Sequence, residues 1–208
     1  MRPVAPLRRA ALAGLALLAA TAATAPAATA SSPPASGTLA FDVLRKGRDI
    51  GDHSFRFATS GGTLTVEVRT EVSVRVPVIG IAAYTFTHTS TEGWQGGRLV
   101  RLTAATNDDG TPHQLALGQG ADLLPASLWG DEVAGAAQLL NTIDGHIMAV
   151  RVADLGTETV ETGHGPIPAH HYRITGDLER EVWYDGDGLL ARLVMSAEDG
   201  STVTYVRR

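Results

Sequence analysis

The sequence predicts an all-β protein: a curled antiparallel meander that forms a half-barrel or open barrel, with one short helix over its concave side. Residues 63–76 alternate without a break between a mainly valine face and a polar face, which is typical of a strand with one buried side. At about 3.3 Å per residue, such a strand is roughly 45 Å long, and a twisted sheet of that length curls around its interior. Turn dipeptides such as Gly96-Gly97 and Asp109-Gly110 join short strands in tight hairpins.

Strand patterns fill most of the chain and are interrupted once, after residue 117. Short turns rich in glycine and aspartate separate most of them, which predicts a nearly sequential meander. The predicted strands are residues 39–46, 53–58, 63–76, 81–94, 98–105, 113–117, 147–152, 158–161, 170–175, 178–184, 189–196 and 202–207.

The interruption contains the predicted helix, residues 131–140. Val133, Ala136 and Leu140 recur at helical spacing, and Trp129 extends the same apolar stripe by one turn. Gly130 and Gly135 weaken a long regular helix. We expect a short amphipathic helix that covers the open side of the curled sheet as a plug or lid.

The first thirty residues have the features of a secretory signal peptide. Three arginines precede the apolar stretch 10–20, and Ala28-Thr29-Ala30 fits the small-x-small cleavage rule. We therefore expect cleavage near Ala30 and a periplasmic or secreted protein. The predicted organisation is a signal peptide at 1–30, a flexible tether at 31–38 and a single β domain at 39–208.

Composition narrows the range of partners. The chain of 208 residues has no cysteine, so it has neither a disulfide framework nor a lipid-attachment cysteine. Its formal net charge of −5 becomes −8 once the three leader arginines are removed. Such a charge opposes binding to nucleic acid and to anionic lipid head groups. The apolar stretch of the leader is too short for an integral membrane span.

Five segments carry a family resemblance: Thr106-Asn107-Asp108-Asp109-Gly110, Leu124-Pro125-Ala126-Ser127-Leu128-Trp129, Leu139-Leu140-Asn141-Thr142, Ala169-His170-His171-Tyr172-Arg173 and Trp183-Tyr184-Asp185. They resemble a known family of exported proteobacterial proteins of unknown function, family 6134. The resemblance covers residues 39–207 and implies no known reaction or ligand. The curled meander with one helical insertion is also similar in shape to the half-barrel lipoprotein carriers of the bacterial periplasm.

Two histidines are expected to face the interior. If Tyr84 and Phe86 face it, strand alternation places His88 beside them. If Tyr172 faces it, so does His170. Such histidines would anchor a ligand head group or act as general bases near neutral pH. Alternatively, each is a structural residue that is hydrogen-bonded to a neighbour.

Recognisable catalytic and metal-binding motifs are absent from the sequence. Ser127 lacks the glycine-flanked elbow of serine hydrolases, and the chain has no glycine-rich phosphate loop. His170 and His171 are adjacent in a strand, so their side chains point to opposite faces and do not share a zinc ion. We therefore predict no catalytic residue, metal or cofactor.

The favoured function is non-enzymatic binding of a hydrophobic or amphipathic small molecule, including a lipid, in the concavity of the sheet. One alternative is a small periplasmic enzyme with His88 or His170 as its general base. Another is a structural envelope protein with a solid core and no ligand. Protein partners and oligomeric state are not predicted. The predicted ligand contacts are Val68, Val72, Tyr84, Phe86, His88, Trp129, His170 and Tyr172.

Overall fold

The protein is built almost entirely of β-strands, which confirms the predicted fold class. The computed structural model describes residues 31–75, 82–118 and 123–208. The predicted signal peptide lies outside the described residues, as do Val76 and Ile81 at the ends of two predicted strands. None of the helical segments in the described ranges is long and apolar enough to cross a membrane.

Thirteen strands are found within the described ranges, and they form one open sheet. Their spatial order is β6-β5-β4-β3-β2-β1-β13-β12-β11-β10-β9-β8-β7. The strands are β1 (Thr38–Arg45), β2 (Arg48–Ser60), β3 (Thr63–Arg75), β4 (Ala82–Gln95), β5 (Arg98–Asp108), β6 (Thr111–Leu117), β7 (Leu124–Pro125), β8 (Gln138–Leu140), β9 (Ile147–Thr162), β10 (Gly165–Gly176), β11 (Arg180–Tyr184), β12 (Leu190–Ser196) and β13 (Thr202–Arg207).

The sheet consists of two meanders joined through its first and last strands. β1 pairs with β13, and each meander runs outward from that pair to one edge. The chain therefore passes from β6 at one edge to β7 at the other, where β7 pairs in parallel with β8. The two edges approach each other, because a β-carbon added to Gly145 would lie 2.8 Å from Leu115 Cδ1 on β6.

The alternation predicted along β3 is confirmed in the centre of the strand. Val66 and Val68 are buried on one face, together with Thr70, whereas Glu67 and Arg69 are exposed on the other. Pairing with β2 and β4 on both sides fixes this register. A strand with one buried face must keep its register, since a shift by one residue would expose every apolar side chain.

The helical prediction for residues 131–140 is correct only in its first half. A 3₁₀ turn covers Asp131–Gly135, and its last backbone bond runs from Ala136 N–H to the Val133 carbonyl. Ala136 already has extended backbone angles. Gln138–Leu140 is strand β8, paired with β9. The pairing with β9 supplies backbone hydrogen bonds and buries Leu139 and Leu140 together, which one helical stripe does not do.

The main hydrophobic core fills the concave face near the 3₁₀ turn. Trp94, Leu102, Trp129 and Tyr184 are buried within it. Trp129 follows β7 at one sheet edge, and its ring contacts Phe57 on β2 and Trp94 on β4 in the other meander. Ser31 also contacts this region, since its backbone N–H donates to the Glu132 carboxylate on the 3₁₀ turn.

A second, smaller core lies on the opposite face of the sheet. The hairpin of β9 and β10 has a register shift between His171 and Tyr172. Beyond this shift, Val160 and Ala169 pack against Trp183 in a buried cluster. His171 stacks on Trp183 with ring centroids 4.1 Å apart. The structure thus places Trp183 in this second core.

Candidate functional site

A line of alternating histidine and threonine side chains crosses the concave face. His53 on β2 lies opposite Thr70 on β3, and Thr70 lies opposite His88 on β4. His88 lies opposite Thr106 on β5, which in turn lies opposite His113 on β6. Opposed residues of antiparallel strands project from the same face, with β-carbons about 5 Å apart. We call these five residues the His–Thr row.

Hydrogen bonds link four members of the row in pairs. His53 Nδ1 lies 2.8 Å from Thr70 Oγ1, and His88 Nδ1 lies 2.8 Å from Thr106 Oγ1. His88 and both threonines are buried, whereas His53 is half-buried. Each bond orients one imidazole ring, so the row is a fixed arrangement of polar groups within an otherwise apolar surface.

Burial disfavours the charged form of two histidines of the row, His53 and His88, because it lowers the pKa of each. It lowers the pKa of His53 to about 3, with a further decrease from the nearby His88. Burial also lowers the pKa of His88 below its ordinary value. A neutral imidazole has one N–H donor and one nitrogen acceptor. The row therefore offers a ligand hydrogen bonds rather than positive charge.

Apolar side chains continue the concave face on one side of the row. Val72, Val74 and Phe86 are half-buried, and Tyr84 is 37% exposed. None of the four belongs to the hydrophobic core formed by the described residues. The Phe86 and His88 rings lie nearly parallel, with centroids 6.3 Å apart. We call this part of the face, from Val72 and Val74 to Tyr84 and Phe86, the open end.

The other side of the row is filled by tryptophans around a buried acid. Glu92 is completely buried, and its Oε2 accepts hydrogen bonds from Trp94 Nε1 at 3.0 Å and Trp129 Nε1 at 3.2 Å. Burial raises the pKa of Glu92 to about 7 despite these bonds and the nearby Ser127 hydroxyl. Glu92 Oε1 and Ser127 Oγ have no hydrogen-bond partner among the described residues. We call this region the tryptophan end.

The tryptophan end has no room for an organic ligand. A cavity lined by Trp94, Ser127, Trp129 and neighbouring residues has a volume of about 10 Å³. Sites for drug-sized ligands have volumes of about 300–1,000 Å³. The geometry therefore favours a solid core here. The open end is then the candidate ligand-binding surface. Within the described ranges, no three histidine, aspartate or glutamate side chains are grouped to hold a metal ion.

Comparison with known proteins places the chain in a family. Residues 41–208 match the family described as a domain of unknown function, DUF6134. The chain belongs to this family. This result confirms the resemblance found in the sequence and assigns no reaction or ligand. The comparison with curated proteins found no match.

A solved structure with similarity to this chain is the crystal structure of a beta-barrel-like protein of the domain of unknown function DUF1849 from Brucella abortus. The two sequences are 13% identical, and the match covers 82% of this chain and 94% of that chain, with a TM-score of 0.49.

The predicted ligand contacts separate into three groups in the structure. Val72, Tyr84, Phe86 and His88 lie together at the open end and the adjoining row. Val68 and Trp129 are buried in the main core, with exposed fractions of 4% and 2%. His170 and Tyr172 lie on β10, in the other meander.

His170 lies beside Tyr172, which packs against the main core, but its side chain is not enclosed. Its side chain is 38% exposed, and its Nε2 lies 2.6 Å from Asp154 Oδ1. Its ring stacks on Tyr172 with centroids 4.7 Å apart. The bulge that separates the β9–β10 hairpin tip from the rest of the sheet follows directly after His171. His88 and His170 thus have different partners, and the structure does not bring them together.

Three residues of the concave face were missed at the sequence level. His53 alternates with Phe55 in β2, and Arg180 alternates with Val182 in β11, so strand parity alone could have placed both on the apolar face. Tyr205 on β13 lies opposite Leu193 on β12 in the same way. What the sequence does not contain is the pairing of distant strands, which brings these residues onto one surface.

Proposed function

We propose that this protein is an exported, non-enzymatic binding protein for an amphipathic small molecule or lipid, which lies across the open end of the concave face. The observation that carries the proposal is an incompletely covered apolar surface bordered by fixed hydrogen-bonding groups. Val72 and Phe86 supply the apolar contact, and His88 supplies part of the polar border. Small-molecule sites typically combine a mainly apolar lining with a few oriented polar groups.

The favourable binding free energy would come from covering the apolar surface of the open end. Burial of apolar surface contributes about 25 cal/mol per Å², and Phe86 and the two valines remain partly in contact with solvent. An apolar chain placed over them would remove that surface from water. The neutral histidines beside it would bind polar groups without charge repulsion between the rings.

The solid tryptophan end favours a second candidate, a structural envelope protein without a ligand. Its cavity of about 10 Å³ removes one possible compartment for a carrier. In that case the open end binds no ligand, and the folded sheet itself serves a structural role in the envelope. A direct binding experiment separates the two candidates.

Export is part of the proposal and rests on the sequence. The tripeptide Ala28-Thr29-Ala30 fits the small-x-small cleavage rule and is followed by Ser31. Removal of the leader would leave an acidic chain with no cysteine. Such a chain is compatible with an oxidising compartment, because it has no thiol to oxidise.

Replacing Phe86 with serine should weaken the binding of a fluorescent long-chain fatty acid about tenfold. The substitution removes an aromatic contact of about 1–2 kcal/mol from the bound state. The melting temperature should change little, because Phe86 is half-buried and lies outside the main core. Fluorescence titration gives the affinity, and a thermal melt of the same sample gives the stability.

Leu155→Ser is the matched control, because Leu155 is 44% exposed on β9 and lies away from the open end. It should leave probe binding unchanged. Equal weakening by Leu155→Ser and Phe86→Ser would show that binding is not located at the open end. If no apolar or amphipathic probe binds the wild-type protein, the structural candidate replaces the binding proposal.

A further inference from the structure

Arg180 is a cationic side chain on the concave face with no carboxylate partner among the described residues. It lies on β11 opposite Ile174, which is 1% exposed, and shares its face with the core residues Val182 and Tyr184. Its Nη1 donates to the Glu179 backbone carbonyl at 2.7 Å. That carbonyl satisfies one donor of a group that has five.

The surroundings of Arg180 favour an additional negative charge. Arg180 is half-buried, and burial lowers the pKa of its guanidinium. The group still remains protonated in proteins at neutral pH. A partly desolvated cation without a counter-charge is unfavourable, and a hydrogen-bonded anion offsets that cost.

Tyr205 on β13 lies between Arg180 on β11 and the His–Thr row, which begins on β2. Tyr205 on β13 lies opposite Leu193 on β12, and Leu193 lies opposite Val182 on β11, two residues from Arg180 on the same face. The Tyr205 ring centroid is 5.2 Å from that of His53. His53 is hydrogen-bonded to Thr70, which lies opposite His88. Arg180, Tyr205 and His53 therefore follow one another across the concave face, from β11 toward the border of the open end.

We propose that Arg180 and Tyr205 form a subsite for the anionic head group of the bound molecule, with His53 on the side toward the open end. The inference rests on the proposed function, because the apolar part of the same molecule lies on the open end. A guanidinium, a phenol O–H and an imidazole N–H all donate hydrogen bonds to an oxyanion. Carboxylate and phosphate head groups share this chemistry.

The positions of the two subsites also define the shape of the ligand. β11 and β4 are six strand spacings apart in the sheet, which is roughly 29 Å along its surface at about 4.8 Å per spacing. The curl of the sheet shortens the direct path across the concavity. A head group at Arg180 and an apolar part at Phe86 therefore belong to an elongated chain rather than to a compact ring system.

The test compares three probes of equal chain length: a fluorescent fatty acid, its methyl ester and the corresponding alkyl phosphate. Arg180→Gln should weaken fatty-acid binding about tenfold or more, because a charge-assisted hydrogen bond is lost. Methyl-ester binding should remain unchanged. Tyr205→Phe should weaken acid binding by a smaller factor and leave ester binding unchanged. The alkyl phosphate shows which of the two head groups the subsite prefers.

Arg151→Gln is the matched control, because Arg151 is exposed on β9 and carries the same charge. It should not alter the acid-to-ester ratio. If Arg180→Gln weakens both probes equally, or if Arg151→Gln has the same effect, the head-group subsite is wrong and binding at the open end still stands. If neither acid nor ester binds the wild-type protein, the proposed function fails together with the subsite.

Discussion

Replacing Trp129 with alanine should lower the free energy of unfolding by about 3–5 kcal/mol. Trp129 is 2% exposed, and its ring packs edge-on against Phe57 and Trp94 with centroids 5.2 Å and 5.9 Å away. Its truncation also removes one of the two indole donors to Glu92. Urea unfolding at neutral pH, followed by circular dichroism, measures the loss.

Trp129→Phe is the matched variant for this experiment. It retains much of the ring volume and removes the hydrogen bond to Glu92, so it should cost about 1–3 kcal/mol. The sequence left open whether the segment around Trp129 is a plug or a lid. A loss below about 1 kcal/mol in the alanine variant, together with tighter probe binding, would restore the lid hypothesis and contradict a solid tryptophan end.

The fold could be predicted largely because its local signals agree. Period-two alternation in β3 and glycine-rich turns both indicate antiparallel hairpins, and the structure contains them. Lys46 and Asp109 even adopt positive φ in such turns, in keeping with tight hairpin geometry. Each of these signals is contained within a few neighbouring residues, so one sequence is sufficient to detect it.

The candidate site could be predicted only in part, because it depends on pairing between distant strands. Parity placed His88 on the apolar face together with Phe86 and Tyr84, and the structure groups them. The alignment of His53 with Thr70 follows from the register of β2 on β3, and the position of Tyr205 follows from the pairing of β1 with β13. Pairing of the first strand with the last has no local signature.

The error at β8 has a related cause. Val133, Ala136 and Leu140 have helical spacing, but Gln138–Leu140 gains backbone partners from β9. An apolar repeat of this length is weak evidence for a helix when two glycines interrupt it and a strand edge is available. Hydrogen bonding to β9 therefore determines the extended conformation of the second half of the predicted helix.

Stability should depend on pH through Glu92. Burial raises the pKa of Glu92 from 4.5 to about 7 in the folded protein. Between pH 4.5 and about pH 7, Glu92 keeps its proton in the folded state and loses it in the unfolded state. The contribution of Glu92 to stability is therefore fully present below about pH 4.5 and decreases as pH rises through about 7. A pKa shift of this size corresponds to about 3 kcal/mol in the free energy of unfolding.

The histidines have the opposite dependence in an overlapping range. Burial lowers the pKa of His53 and of His88, so their charging destabilises the folded state as pH falls below the ordinary histidine value. The pH profile of the wild-type protein alone therefore combines opposing contributions. The difference between wild type and a variant at position 92 cancels the histidine contributions and isolates that of Glu92.

Glu92→Gln should be about as stable as wild type near pH 5 and about 3 kcal/mol more stable near pH 8. Its amide oxygen can accept both indole hydrogen bonds, and its NH₂ group can donate to Ser127 Oγ, which has no partner among the described residues. Glu161→Gln, at an exposed position on β9, should show no such trend. Urea unfolding of all three proteins across this pH range is the measurement. A constant difference between wild type and Glu92→Gln at every pH would mean that Glu92 does not titrate in this window, and that its carboxyl group is solvated or paired in the folded protein.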